Sequence, residues 1–396
     1  MSESIPHSDG VVINHQDKRL LPPEEREKRE SYLKDTIGLS QEKINKLKEI
    51  RPGLYSTESI IEKVDGLKDR GFTNPNKMIK SLPSIIGYDF DNIDLKISGL
   101  KDRGFTNPNK IIESLPAIIS LAFDNIDAKI SGLKDRGFTN PNKMIESQPA
   151  ILGLAFDNID AKISGLKDRG FTNPNKMIES LPSILGYSFD NIDLKISGLK
   201  DRGFTNPNKM IESLPSILGY SFDNIDLKIS GFKDRGFTNP NKMIESQPAT
   251  ISFAFENIDA KISGLKDRGF TNPNKMIESL PSILGYSFDN IDLKISGLKD
   301  RGFTNPNKMI ESLPSILGYS FDNIDLKISG FKDRGFTNPN KMIESQPAIL
   351  GLAFDNIDLK ISGFKDRGFT NPNKMIEFQP SILGYDFDNI DAKISG

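Results

Sequence analysis

The chain has 396 residues, 52 lysines and arginines against 54 aspartates and glutamates, a formal net charge of −2, and no cysteine. Its two histidines, His7 and His15, both precede residue 20, so disulfides, thiolate metal sites, and a histidine-held zinc or histidine base in the body of the chain are excluded by inventory. Hydrophobic residues make up 36%, and no apolar run approaches the roughly 20 residues that a membrane-spanning helix needs.

Residues 1–32 hold no apolar run longer than Val11, Val12 and Ile13, and they carry Glu24, Glu25, Glu27 and Glu30. Acids of this kind are avoided by organellar presequences. The segment is expected to be a disordered leader without signal or transit peptide, and the chain to be soluble, in the cytoplasm, nucleus or nucleoid. Residues 33–65 read as a degenerate capping repeat: Leu33, Lys34 and Asp35 echo the later Leu-Lys-Asp, Pro52 matches a helix-stopping proline, and 56–65 align with Ser-Phe-Asp-Asn-Ile-Asp-Leu-Lys-Ile-Ser. Extra charges (Glu42, Lys43, Lys46, Lys48, Glu49, Arg51) suit a cap with one solvated face.

From residue 66 to 396 nearly the same 33 residues recur ten times. A fixed period of this size means stacked supersecondary units, each touching only its neighbours. In the copy 165–197, Asn173 and Pro174 mark a helix start. Met177, Ile178 and Leu181 form its apolar face, and Pro182 stops it. Ser183, Ile184, Leu185 and Gly186 make a tight turn, and Ser188 caps a second helix with the stripe Phe189, Ile192, Ile196 and Leu199. Gly203 closes that helix as a left-handed C-cap. The expected fold is all-α, a curved or right-handed α-solenoid superhelix of ten helix–turn–helix repeats, with no enzyme activity, because ten near copies of one set of groups offer no unlike constellation for chemistry.

Residues 66–396 hold 41 basic and 41 acidic residues, which argues against a nonspecific polyanion binder. Stacking nevertheless lines like charges up. The basic edge begins with Lys68, Arg70 and Lys77, then Lys101, Arg103 and Lys110, then Lys134, Arg136 and Lys143. It continues with Lys167, Arg169, Lys176, Lys200, Arg202, Lys209, Lys233, Arg235, Lys242, Lys266, Arg268 and Lys275. Lys299, Arg301, Lys308, Lys332, Arg334, Lys341, Lys365, Arg367 and Lys374 complete it. Such a row serves helix-dipole complementarity or a phosphate track reinforced by the first-helix N-termini.

Variation between copies concentrates just after the proline. The pairs read Tyr88-Asp89, Leu121-Ala122, Leu154-Ala155, Tyr187-Ser188 and Tyr220-Ser221 in the first five copies. The last five read Phe253-Ala254, Tyr286-Ser287, Tyr319-Ser320, Leu352-Ala353 and Tyr385-Asp386. Tyrosine travels with Ser or Asp, and Leu or Phe with Ala. Packing drift, selectivity for bases and contact with a protein partner all fit this scatter. Gln148, Gln247 and Gln346 recur 99 residues apart, so block duplication explains part of it.

Leu166, the run Gly170-Phe171-Thr172, the run Pro182-Ser183-Ile184-Leu185, and Ile192 with Ile196 resemble the repeat of the mitochondrial transcription termination factor (mTERF) family, as do Gly38-Leu39-Ser40 and Pro52. The resemblance implies a helical solenoid with a short third helix per repeat, binding double-stranded nucleic acid in a basic concave surface, with a role in transcription regulation. The focused turn variation also resembles transcription-activator-like (TAL) effector arrays, which read one base per repeat. The expected function is modular nucleic-acid binding, DNA rather than RNA, by a monomer without cofactor, metal or membrane partner. Phosphates would lie on the Lys/Arg edge, and the turn residues would give selectivity. The alternative is a protein-interaction scaffold anchored by tyrosines such as Tyr187 and Tyr220.

Overall fold

A computed structural model describes residues 21–50 and 56–388. The leader residues 1–20, the match at Pro52 and the last eight residues lie outside the described residues. All regular structure among the described residues is helical, with 22 α-helices and no strand, so the expectation of an all-α repeat solenoid stands. The chain divides into two compact units, Met1–Asp193 and Leu194–Gly396, both built from the same repeat.

In the first unit a repeat consists of a short helix Pro141–Ser147, a 3-10 turn Pro149–Gly153 and a long helix Phe156–Asp168. The short helix opens on a proline, whose missing N–H would have had no partner there anyway. It stops after two turns because Gln148 precedes a proline and is held extended at φ −138° and ψ 80°. Ile151 N–H to Gln148 O and Leu154 N–H to Ile151 O then tighten the chain into the 3-10 turn. The preceding long helix, Phe123–Asp135, ends on Gly137 at φ 82°, with Gly137 N–H bonded to Lys134 O and Phe138 N–H to Leu133 O. That is a Schellman closure, and Phe138, 3% exposed, is the apolar contact that accompanies it.

The second unit repeats this plan, for example in Pro306–Ser312, Pro314–Gly318 and Phe321–Asp333. Met309, Ile310, Ile316 and Ile324 are essentially fully buried. Successive short helices touch within each unit. The core is therefore a seam running from repeat to repeat rather than a centre.

Residues 23–31 depart from the expected disordered leader. They form the helix Pro23–Ser31, in which Arg29 is buried, and Glu25 accepts a hydrogen bond from Thr57 N–H at 2.9 Å. Glu25 thereby takes an orphan N–H at the start of the long helix Thr57–Asp69. A π turn Tyr32–Thr36 and the helix Gln41–Ile50 lie between them, and Lys43 Nζ reaches Lys80 O of the first full repeat at 2.6 Å.

Candidate nucleic-acid interface

The basic edge is built around an aromatic ring and the glycine facing it. The Phe156 ring lies against Gly132 of the preceding long helix so closely that a Cβ there would come within 2.2 Å of its Cζ. Lys129 and Arg136 sit three residues before and four after Gly132 on the same helix, and both lie 4.2 Å from the centre of that ring. The 33-residue glycine period thus marks a socket flanked by two cations.

Arg136 does more than stack. Its Nε and Nη2 donate to both carboxylate oxygens of Asp160 at 2.6 and 2.7 Å, and its Nη1 donates to Gly132 O at 2.9 Å. Equivalent bidentate pairs join Arg70 to Asp94, Arg103 to Asp127 and Arg169 to Asp193. In the second unit they join Arg202 to Asp226, Arg235 to Asp259, Arg268 to Asp292, Arg301 to Asp325 and Arg334 to Asp358. Arg136 holds the Asp160 carboxyl below its ordinary range, chiefly through the hydrogen bond. These arginines of the expected phosphate edge tie one long helix to the next.

The short-helix N-termini are also occupied. Glu179 Oε1 accepts from Thr139 N–H and, at 3.2 Å, from Asn140 N–H, while both its oxygens accept from the Thr139 hydroxyl at 3.0 Å. Each glutamate so placed caps the short helix one repeat earlier, as Glu113, Glu146, Glu278, Glu311, Glu344 and Glu377 do for Thr73, Thr106, Thr238, Thr271, Thr304 and Thr337. A carboxylate thus sits just ahead of each of these helices, on the N–H groups of the cap residue and the residue before it. Asparagine caps in its expected place at Asn107 and Asn371, which accept from Lys110 N–H and Lys374 N–H. The next asparagine works across the seam instead: Asn175 Nδ2 donates to Arg136 O at 2.7 Å.

One lysine per repeat escaped the sequence reading. Lys162 of the long helix Phe156–Asp168 is 7% exposed and donates to Tyr187 O at the turn ahead of the next long helix, over the Phe189 ring. Lys63, Lys96, Lys129, Lys195, Lys261 and Lys294 are buried in the same way. Burial pushes Lys63 and Lys96 down to about 8. The signal was present, since Lys195 lies three residues after Ile192 and four before Leu199, on the apolar stripe itself.

What stays open on this edge are the other lysines. The side chains of Lys101, Lys110, Lys134 and Lys143 in the first unit are exposed and make no hydrogen bond or ion pair among the described residues. The same holds for Lys266, Lys275, Lys299, Lys308, Lys332 and Lys341 in the second. Lys68 differs, pairing with Asp65 at 2.8 Å. In each repeat the two lysines flank one connection (103–107 in the first case), so they share one end of the long helix.

The variable turn lies at the other end of that helix, whose thirteen residues span about 20 Å. Ser221, Ser287 and Ser320 accept from the N–H of Asn224, Asn290 and Asn323 at 3.2 Å. The side chains of Ala122, Ala155, Ala254 and Ala353 cap nothing, and neither does that of Asp89. Tyr286 and Tyr319 are half-buried and lean on Gly318 and Gly351 of the following repeat.

Among the described residues no helix is long and apolar enough to cross a membrane, and no group of three or more acidic or histidine side chains could hold a metal ion. The mTERF family model matches residues 191–301. No curated protein matches the chain.

Proposed function

We propose, for a helical-repeat chain whose residues 191–301 match the mTERF family model, that its repeats bind duplex DNA through the free lysines at the C-terminal ends of the long helices, without catalysis. Nucleic-acid binding in general is what the family suggests. The observation that carries the finer reading is the repeated pair of exposed, uncommitted lysines exemplified by Lys134 and Lys143. An ammonium on a flexible stem binds a phosphate as a point charge, and a row of them tracks a backbone without reading sequence.

The arginines enter as positioning groups. Each is fixed to an aspartate, a carbonyl and a ring, so it sets the step between repeats and therefore the spacing of the lysines. The glutamates and Asp102-type acids near this edge keep the attraction moderate, consistent with the neutral balance of the array.

The test is a titration of the full chain with a duplex DNA, a duplex RNA and a single strand of equal length at several ionic strengths. Duplex DNA should bind most tightly, with log affinity falling against log salt by about 0.9 per phosphate neutralised. Absence of binding to all three, or an affinity indifferent to salt, contradicts the proposal.

A further inference from the structure

The opposite end of the long helix carries a feature that nucleic-acid binding leaves unused. Leu194, Leu227, Leu293, Leu326 and Leu359 are 61–65% exposed near the middle of their long helices. A groove of about 340 Å3 lies between one such leucine and the next repeat, lined by Tyr286, Asn290, Leu293, Lys294, Leu317 and Phe321. The same residue types recur 33 positions on, at Tyr319, Asn323, Leu326, Lys327, Leu350 and Phe354.

The two lips of the groove vary together in eight of the ten copies. Tyr88, Tyr187, Tyr220, Tyr286 and Tyr319 are followed seven residues later by Leu95, Leu194, Leu227, Leu293 and Leu326, and Leu121, Leu154 and Phe253 by Ala128, Ala161 and Ala260, whereas Leu352 with Leu359 and Tyr385 with Ala392 break the pairing. An exposed leucine contributes nothing to its own core, so its pairing with the tyrosine is explained by the groove they share. Copies with leucine and alanine lack both lips.

The chemistry of the groove selects its occupant. Its floor is the Lys294 ammonium, which gives one N–H to Tyr319 O and faces the Phe321 ring at 4.3 Å. An ammonium has three donors, so N–H groups remain for carbonyl acceptors. Two acids adjoin its lining along the chain: Asp289 precedes Asn290 and Asp322 follows Phe321, and both are exposed and make no ion pair among the described residues. Phosphates would meet these carboxylates, whereas a cationic chain would be attracted. Consecutive short helices touch, and touching helices lie about 8–10 Å apart, so the grooves recur at about that step. A polyproline II strand advances about 9 Å in three residues and leaves its carbonyls unpaired, matching both the step and the free donors. Tyrosine-lined grooves suit such strands.

We propose that the tyrosine–leucine grooves of residues 286–354 hold a basic segment of a partner protein in polyproline II form, with an apolar side chain in each groove and its lysines or arginines against Asp289 and Asp322. The probe is a fluorescein-labelled peptide of five Leu-Pro-Lys units, with Leu-Pro-Glu units as control, titrated into the full chain. The decisive variant combines Tyr286→Leu, Ser287→Ala, Leu293→Ala, Tyr319→Leu, Ser320→Ala and Leu326→Ala, residues the chain already tolerates at 121, 122 and 128. Expected are binding of the basic peptide alone, a loss of about tenfold in the variant, and no change in its binding of a duplex DNA. Equal peptide affinity in both proteins, preference for the acidic peptide, or no binding of either overturns the proposal. Loss of DNA binding on conversion also overturns it, since the groove would then serve the nucleic acid. The peptide titration is independent of whether the lysine edge binds DNA, so either reading can fail alone.

Discussion

The two ends of the long helix obey different rules. At the C-terminal end the arginine, the asparagine and the glutamate with its threonine are all spent on bonds to a neighbouring repeat, as Arg136, Asn175 and Glu179 show. These positions barely change between copies, because a change would break a joint on the far side of the seam. At the N-terminal end Tyr, Ser and Leu are free to become Leu, Ala and Ala, because their loss removes one cap and one groove but no joint. Lys134 and Lys143 belong to neither class: nothing in the described fold holds their side chains, yet every copy has them.

The comparison breaks first at the socket. Gly132→Val would place a Cβ within 2.2 Å of Phe156 Cζ, so it should drive the ring out and destabilise the fold by about 3 kcal/mol, at the upper end of overpacking, measured by urea unfolding. An effect within about 0.5 kcal/mol, the range of ordinary surface changes, would mean the ring has somewhere else to go. Next comes Arg136→Gln, which forfeits a bidentate pair and a carbonyl bond and should lower the urea midpoint measurably, though by less than the glycine change. Lys143→Gln, one turn away in function but bonded to nothing, should stay within about 0.5 kcal/mol. Equal losses for the two would erase the distinction between joint and ligand residue. At the variable end, Ser287→Ala removes one cap and should cost about 1 kcal/mol.

The pH response follows the same division. Asp127, Asp160 and their equivalents have pKa values lowered by the arginine hydrogen bond. Their stabilisation is therefore complete above the ordinary aspartate value and is lost as pH falls below it through the lowered one. Lys63 and Lys96, pushed down to about 8 by burial from 10.5, give a slope of the same sign in an alkaline window. Between those values the unfolded chain binds more protons, so stability should rise slightly with pH. Thermal unfolding at pH 7.5 and 9.5 checks this, and the rise should vanish in a Lys63→Met, Lys96→Met variant.

Much of the repeat was legible because it obeys local rules. Pro174 and Pro182 bound the short helix, Gly203 closes the long one at φ 83°, and the 3-10 turn falls where four residues follow a proline. What escaped was everything that acts across 24 to 40 residues. Arg169 looks like a C-terminal helix charge until Asp193 is seen beside it. Glu179 looks like a surface acid until it is found capping the previous repeat. Lys162 looks solvated until its carbonyl partner appears. Periodicity tells which residues recur, and only the stack tells which of them meet.

The central claim is that the two ends of the helix serve different ligands, and one comparison tests it most directly. Duplex DNA affinity should be measured against salt for the wild type, for a variant with Lys134, Lys143, Lys299 and Lys308 changed to Gln, and for the Tyr-Ser-Leu conversion variant. The lysine variant should bind more weakly with a salt slope shallower by up to about 1 per lysine in phosphate contact, while the conversion variant keeps the wild-type slope and affinity. An unchanged slope in the lysine variant, or a lost affinity in the conversion variant, would contradict the account.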